Sequence, residues 1–451
     1  MKKIGYLFFL FAFVMNTNAQ EKTMQLSLRQ AIEFALENSY NAKVAINDIE
    51  SAKKKVWETT TIGLPQINGA IDYQNFLKQP ITVADINGDG VNEEFVFGTK
   101  QNMNVAVTLR QLLFDGSYLV GLQASKTFLK ISEQAQQKTE YITREAVINA
   151  YGNVLLTEST ITVLESNIKI LQKNYNDAKK IFENGLNEEE DVEQLEITLS
   201  SLKNQLNNFK RLETIAYRFL NLALGNPIEV NLVLTDTLDS LAEQNINLNL
   251  ISKSFMVDNH IDYKIAENDR ETKRLMVKLE KSKNLPTLNA FVNYGTQAFS
   301  NEFTFFDSDQ RWFQSSLLGV SLNVPIFSSF GRKAKTAQAK IDLENSDIRL
   351  EETKQKLKLQ VESAKNDYQF SVESYQTAKK NVDLAERIEK KQRIKFFEGL
   401  SSSFDLLQAQ NQLYSQQQNY LQSMLDVIAK KAALENALNT VSYTHLTLPT
   451  N

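Results

Sequence analysis

The chain has no cysteine, only two histidines, six prolines and fifteen glycines in 451 residues. Each shortage excludes something. Without cysteine there is no disulfide and no site for a bacterial lipoprotein anchor, so stability must come from packing and assembly. His260 and His445 are the only histidines, and no glycine-rich phosphate loop or nucleophile elbow is present. The many carboxylates lie among lysines, where solvated ion pairing on helix faces is their common use. No active site is read. So few prolines and glycines imply long uninterrupted elements. A net charge of -4 with both signs mixed throughout carries no basic footprint and excludes nucleic acid as a partner. After residue 19 no apolar run reaches the roughly 20 residues of a spanning helix, so membrane contact must be made by strands.

What is present begins with a leader. Lys2 and Lys3, an apolar run from Ile4 to Val14, and Thr17-Asn18-Ala19 fit a cleaved secretory signal over residues 1–19, with Gln20 opening the mature chain. Beyond it the chain repeats itself. Asn38, Lys43, Asp48, Leu64, Pro65, Asn68 and Tyr73 recur 221 residues later as Asn259, Lys264, Asp269, Leu285, Pro286, Asn289 and Tyr294. A second set recurs at 214: Phe182, Gly185, Asp191, Gln194 and Leu199 match Phe396, Gly399, Asp405, Gln408 and Leu413. One duplicated unit therefore organises the chain, with a first repeat over 20–227 and a linker and second repeat over 228–440.

Each repeat opens with a helical stretch; residues 26–61 read as one helix or a broken pair. Leu64-Pro65 ends it, because proline disfavours helix at the preceding residue and suits the start of a strand. Alternation follows. In the hairpin over 65–114, Ile67, Gly69, Ile71 and Tyr73 share one face, as do Met103, Val105, Val107 and Leu109, opposite Asn68, Asp72, Asn102, Thr108 and Arg110. The hairpin over 286–327 sets Leu288, Ala290, Val292 and Tyr294 with Leu318, Val320 and Leu322. The rest of the chain reads as helix, so these strands lack a second sheet to pack on, and about ten residues suits a bilayer crossing. Four strands cannot close a barrel. An open edge in lipid is not viable, so the strands must be pooled in an oligomer, and three copies supply twelve.

After each hairpin the period becomes helical. Residues 117–184 hold no proline, which at 1.5 Å per residue allows a helix on the order of 100 Å. The return helices carry Leu195, Leu199, Leu202 and Leu206, and Leu406, Leu413, Tyr420, Val427 and Leu434 seven apart, the coiled-coil pattern. Long helical hairpins are thus expected over 117–224 and 331–440. The tail 441–451 abandons the heptad and reads as irregular, foreign to the rest.

Two smaller constellations stand out. Asp85-Ile86-Asn87-Gly88-Asp89-Gly90 resembles the opening of a calcium loop, with Asp85, Asn87 and Asp89 as ligand types, but position 12 is Val96 where a bidentate acid belongs. The alternative is a polar turn. Phe303, Phe305, Phe306, Trp312 and Phe313 gather near one strand end, with Phe114 and Phe327 at the other, as in the two aromatic girdles of a membrane barrel; loop packing accounts for the first group equally well.

Over residues 20–440 this pattern resembles the TolC-type outer membrane efflux proteins. The most specific stretch is Phe396 to Leu407, an aromatic, Gly399, then Phe404-Asp405-Leu406 opening the last helix; Leu-Pro before each first strand and Ala223-Leu224-Gly225 also fit. The resemblance implies a mostly α fold with a small transmembrane β part. It implies a homotrimer whose twelve-stranded barrel crosses the outer membrane lipid and continues as a periplasmic α-helical barrel. It further implies a passive exit duct served by a periplasmic adaptor and an inner-membrane transporter, exporting small molecules or, by the type I route, proteins. Within it Asp405 matches an acidic ring at the periplasmic aperture. Gln408 stands where a second acid is expected, and Phe396 and Ser401 stand where a polar latch is expected, so that latch is not carried over. Asp191, the counterpart of Asp405, is assigned to closure contacts. The bland reading of Asp405 is a favourable charge at a helix N-terminus. A periplasmic coiled-coil adaptor or stalk is the competing class, and the duplicated strands argue against it.

Overall fold

The computed structural model describes residues 24–85, 88, 90, 92–185 and 188–440. The leader, Asn87, Asp89 and the tail 441–451 lie outside the described residues. The elements, in chain order, are β1 (Met24–Leu26), α1 (Leu28–Asn38), α2 (Tyr40–Thr61), β2 (Gln66–Asn75), β3 (Ile81–Ala84), β4 (Glu93–Val96), β5 (Gln101–Asp115), α3 (Gly116–Glu183), α4 (Glu189–Leu224), β6 (Leu232–Leu234), α5 (Leu238–Gln244), α6 (Ile261–Ser282), β7 (Thr287–Ser300), β8 (Trp312–Asn323), α7 (Gly331–Phe397) and α8 (Ser403–Ala437). The segment 26–61 is a broken pair: Ser39, with extended backbone, separates α1 from α2. The two first helices of the hairpins are 68 and 67 residues long, and their partners 36 and 35, so each long helix outruns its return. Contacts divide the chain into two units.

One unit holds Ala45–Gln137 and Val257–Leu357. Its centre is a four-stranded antiparallel sheet in the order β2-β5-β7-β8, so the repeats join through β5 and β7. Each row across the sheet stays on one face. Ile67, Leu109, Val292 and Leu318 align on one face, and the next row, Asn68, Thr108, Asn293 and Leu317, lies on the other. Asn293 donates to Thr108 Oγ1 at 2.8 Å within that second face. The apolar face is exposed: Ile67, Ile71, Leu318, Val320 and Leu322 all stand in the open. A bulge at Leu113 shifts the register, pairing Leu112 with Asn289 but Phe114 with Leu288, and so turns Phe114 onto the apolar face.

The other unit takes the described part of Met1–Val44, Lys138–Met256 and Lys358–Asn451. Two apolar clusters hold it. One joins Val147, Tyr151, Val154, Leu220, Leu224, Tyr368, Met424 and Val427; the other joins Leu171, Leu195, Leu199, Phe396 and Leu406 near the helix turns. In α7 the positions Val361, Tyr368, Tyr375, Val382, Glu389 and Phe396, seven apart, are all buried. The expectation that all remaining chain is helix is corrected here. β1 and β6 pair in parallel in this unit, and in the unit of the four-stranded sheet β3 and β4 form a separate ribbon. Strands of three or four residues are too short to show an alternation in sequence. Asp236 ties the small sheet to the helices, accepting from Leu28 N at 2.7 Å and from the Tyr151 hydroxyl at 2.9 Å.

Candidate functional site

Two regions carry the residues singled out by sequence: the helix turns, and the sheet. At the turns Gly185 and Gly399 take left-handed backbone, with φ of 73° and 71°, where a side chain would be strained. Ser402 then caps α8. Its hydroxyl accepts from Asp405 N at 3.2 Å, and the Asp405 carboxylate accepts from Ser402 N at 3.3 Å and from the Ser402 hydroxyl at 2.9 Å, a reciprocal capping box. Asp405 is exposed, so its charge faces solvent while one oxygen holds the cap. The start of α4 is built differently: Glu188 makes no side-chain cap, and Glu189, Glu190 and Asp191 supply charge to the first turn. Asp191 is half-buried, Gln408 exposed.

Phe396 does not stand at the surface. It is 7% exposed, edge-on to Phe397 with ring centres 5.2 Å apart, in the cluster shared by both hairpins. The residue that links the turns is one the sequence did not single out beyond its place in the repeat. Gln194, the counterpart of Gln408, accepts from the Ser403 hydroxyl at 3.1 Å and donates to Glu190 at 2.9 Å. A polar cavity of about 290 Å³ lies farther along, between α3, α4 and α8, and Asn167 donates across it to Gln417 at 2.8 Å.

The two hairpins differ inside. In the first, the Tyr175 hydroxyl donates to Glu196 at 3.3 Å. Their counterparts in the second are Glu389 and Gln410. Gln410 is 1% exposed and neither end of its amide has a partner, an arrangement that costs about 1–3 kcal/mol for a buried polar group. Nearby Tyr414 has its hydroxyl pKa pushed up, first by burial and then by the Glu389 charge. The second hairpin is therefore the less satisfied of the two.

On the sheet, the aromatic residues part company. Phe305 is buried against Met103 and Ala298, with Trp312 packed on the same cluster, and Tyr73 meets Phe303 and Phe305 edge-on at 5.6 and 5.8 Å. Trp312 pairs with Ala298 in the apolar row, whereas Phe313 pairs with Gln297 on the polar face, beneath the Arg311 guanidinium at 5.1 Å. At the helix end Phe114 is on the apolar face, and exposed Phe327 packs edge-on to Phe330. Phe330 and Ser329 both have positive φ, 62° and 48°, a strained pair of residues just before α7. In the β3–β4 loop the two oxygens of Asp85 accept from Gly88 N and Gly90 N, each at 2.8 Å. Among the described residues no group of three or more His, Cys, Asp or Glu is placed to hold a metal ion, and no helix is long and apolar enough to cross a membrane.

Comparison with known proteins adds the lineage. The chain is 22% identical over 421 residues to the probable efflux pump outer membrane protein TtgC of Pseudomonas putida, covering 91% of this chain and 82% of that protein. It is 22% identical over 431 residues to the alkaline protease secretion protein AprF of Pseudomonas aeruginosa, covering 92% and 85%. Its fold is similar to the outer membrane protein VceC of Vibrio cholerae, with a TM-score of 0.70 at 15% identity over 91% of this chain and 95% of that one. It is likewise similar to the open MtrE outer membrane channel of Neisseria gonorrhoeae, with a TM-score of 0.68 at 19% identity over 91% and 88%. The profile of the outer membrane efflux protein family matches residues 31–226 and 258–440, one stretch in each repeat, and the chain belongs to that family.

Proposed function

We propose that this protein is the exit duct of a tripartite efflux system, in which three copies pool their sheets into a twelve-stranded barrel in the outer membrane. The family is one of channels rather than enzymes, and it resides in the outer membrane and reaches into the periplasm. The observation that carries the finer reading is the sheet itself. Apart from the patch under Phe305 its apolar face is open, and β2 and β8 are edges without a partner among the described residues. Such edges are not viable in lipid, and pairing β8 of one copy with β2 of the next removes them all.

In this reading the helical hairpins form the periplasmic tunnel, and an adaptor and inner-membrane transporter hand cargo to its end. The trimer repeats Asp405 three times around the axis, making a negative constriction that favours cations. Asp191 and Gln408 stand with it at the turns, Phe114, Phe327 and Trp312 lie at lipid interfaces, and the polar face lines the lumen. Small molecules are the proposed cargo, in keeping with the efflux name of TtgC. Export of a polypeptide is the second reading, favoured by the likeness to AprF. Outer-membrane fractionation with an unboiled gel tests the duct: a heat-resistant oligomer is expected, and a soluble monomer sinks it. Deletion then separates the cargoes, since heightened sensitivity to toxic small compounds supports the first and a polypeptide missing from the medium supports the second.

A further inference from the structure

Alternation makes one face of the sheet polar, yet that face changes character from one strand to the next. On β2 and β5 it presents amides, a threonine, two alanines and charges, with Leu112 at the foot of β5 as the one large apolar group. On β7 and β8 it carries Phe291, Phe299 and Phe313 together with Leu317, and no charge. The charges on or beside this face lie elsewhere: Asp72 on β2, Arg110 and Asp115 on β5, Lys100 just before β5, and Arg311 just before β8.

The apolar groups fall into line. The Phe291 ring lies over Gly319, where an added Cβ would stand 2.4 Å from it, so the ring occupies a position on β8 that has no side chain of its own. Leu317 follows two residues away on the same strand, and Phe313 four beyond that. At 3.4 Å per residue this line is roughly 20 Å long, or about 15 Å along the axis of a barrel with strands tilted near 40°. Phe299 widens its loop end, with its ring centre 6.1 Å from that of Phe313. Leu317 is 59% exposed, Phe313 48% and Phe299 43%, so these side chains are not used up by packing within the chain. Arg311 lies over the Phe313 ring at 5.1 Å and still leaves about half of that side chain open. Single exposed apolar residues are ordinary on a protein surface, but an aligned set of them marks a place of contact.

We infer that Phe291, Leu317, Phe313 and Phe299 form an apolar track along β8 in the lumen, a weak binding site for the ring of an amphiphilic aromatic cargo, with the amides of β2 and β5 beside it for the cargo's polar groups. The inference rests on the duct reading, with the polar face lining the lumen. Three copies would set three such tracks between three polar strips. One aromatic contact strengthens binding about two- to tenfold, which holds a ring at the wall without trapping it. Passage needs that balance, since a conducting site must be favourable enough to enter and weak enough to leave.

The chain has no cysteine, so a single introduced thiol reports its own surroundings. Ser315 lies on β8 between Phe313 and Leu317, and Ala106 lies in the same row on β5. The test makes Ser315→Cys and Ala106→Cys separately in the full chain, reconstitutes each in lipid vesicles, and checks each for an oligomer on an unboiled gel and for conductance. Each is then treated with benzyl and with ethyl methanethiosulfonate. Both reagents are uncharged, and the charges near a thiol change its thiolate fraction equally for both, so the ratio of their rates reads apolar contact alone. The benzyl-to-ethyl rate ratio should be about fivefold higher at Ser315→Cys than at Ala106→Cys. Adding Leu317→Ala or Phe313→Ala to Ser315→Cys should bring its ratio down toward that of Ala106→Cys. Equal ratios at the two positions, or a Ser315→Cys ratio that neither added substitution lowers, overturn the inference alone. Conducting oligomers in which neither thiol reacts with either reagent overturn the luminal placement of this face and the inference with it, while the duct stands. A wild type that yields neither oligomer nor conductance overturns the duct reading and the inference together.

Discussion

The Ser403 hydroxyl donates to Gln194 Oε1 at 3.1 Å, joining the first turn of α8 to the second turn of α4. These residues come from the two halves of the duplication, so the bond ties one helical hairpin to the other at the place where the tunnel is proposed to narrow. Ser403 is buried, and Gln194 is also held by Glu190. A neutral hydrogen bond contributes about 1 kcal/mol, which is close to a fivefold change in an equilibrium. Ser403→Ala should therefore raise the open-to-closed ratio of single channels about fivefold. Gln194→Ala should act alike, and the pair together should do little more than either alone, as a double-mutant cycle would report.

Asp405 has two separable duties. Its charge is exposed, and its carboxylate closes the capping box with Ser402. Asp405→Asn keeps an oxygen for the cap and removes the charge, so the channel should lose cation preference while its melting temperature barely moves. Asp405→Ala loses both, with about 1 kcal/mol of helix-end stability in addition. An unchanged potassium-to-chloride permeability ratio in Asp405→Asn would refute its place in the constriction.

Glu435 is a carboxylate that helix-face statistics misjudge. Arg144 Nη2 lies 2.7 Å from it and Lys431 Nζ 3.7 Å, with the two carboxylate-pair side chains only 15% and 8% exposed. Removing one partner of a buried pair strands the other, at about 3 kcal/mol or more. Glu435→Ala should lower the thermal unfolding midpoint strongly. Arg144→Met combined with Glu435→Leu should recover most of the loss, because the closest pair is then removed together and Lys431, at 18% exposure, keeps its bond to Asn245 Oδ1 at 3.0 Å.

Two glycines should respond unequally to alanine. Gly225 ends α4 with φ of 81°, and a Cβ there would stand 2.3 Å from the Asn38 carbonyl oxygen. Neither the backbone conformation nor that carbonyl can give way cheaply, so Gly225→Ala should cost about 2 kcal/mol or more. At Gly152 the Cβ would meet only Leu425 Cδ1, at 2.5 Å, the far end of a flexible side chain. Helix propensity favours alanine there by up to about 1 kcal/mol, so Gly152→Ala should be close to neutral in the same melt.

Periodicity alone determined a good deal of this protein. Alternation in β2, β5, β7 and β8 announced a sheet with one apolar and one polar face, because side chains on a strand must point in turn to opposite sides. Leucines seven apart in α8 announced helical hairpins, and the near-absence of proline set their length. The motif around Asp405 was legible because a helix start demands a cap and tolerates an acid. Pairings between distant segments were decided only by the tertiary structure. Joining β5 to β7, turning Phe114 by the bulge at Leu113, separating Trp312 from Phe313, and burying Phe396 all depend on which element lies alongside, and local pattern does not encode this. The same holds for Gln194 and Glu435, polar residues on helix surfaces until another helix is laid against them. Sequence specified faces and lengths, since these follow from the geometry of a single segment; partners were fixed by packing, since only the folded chain decides which polar groups must find one another away from water.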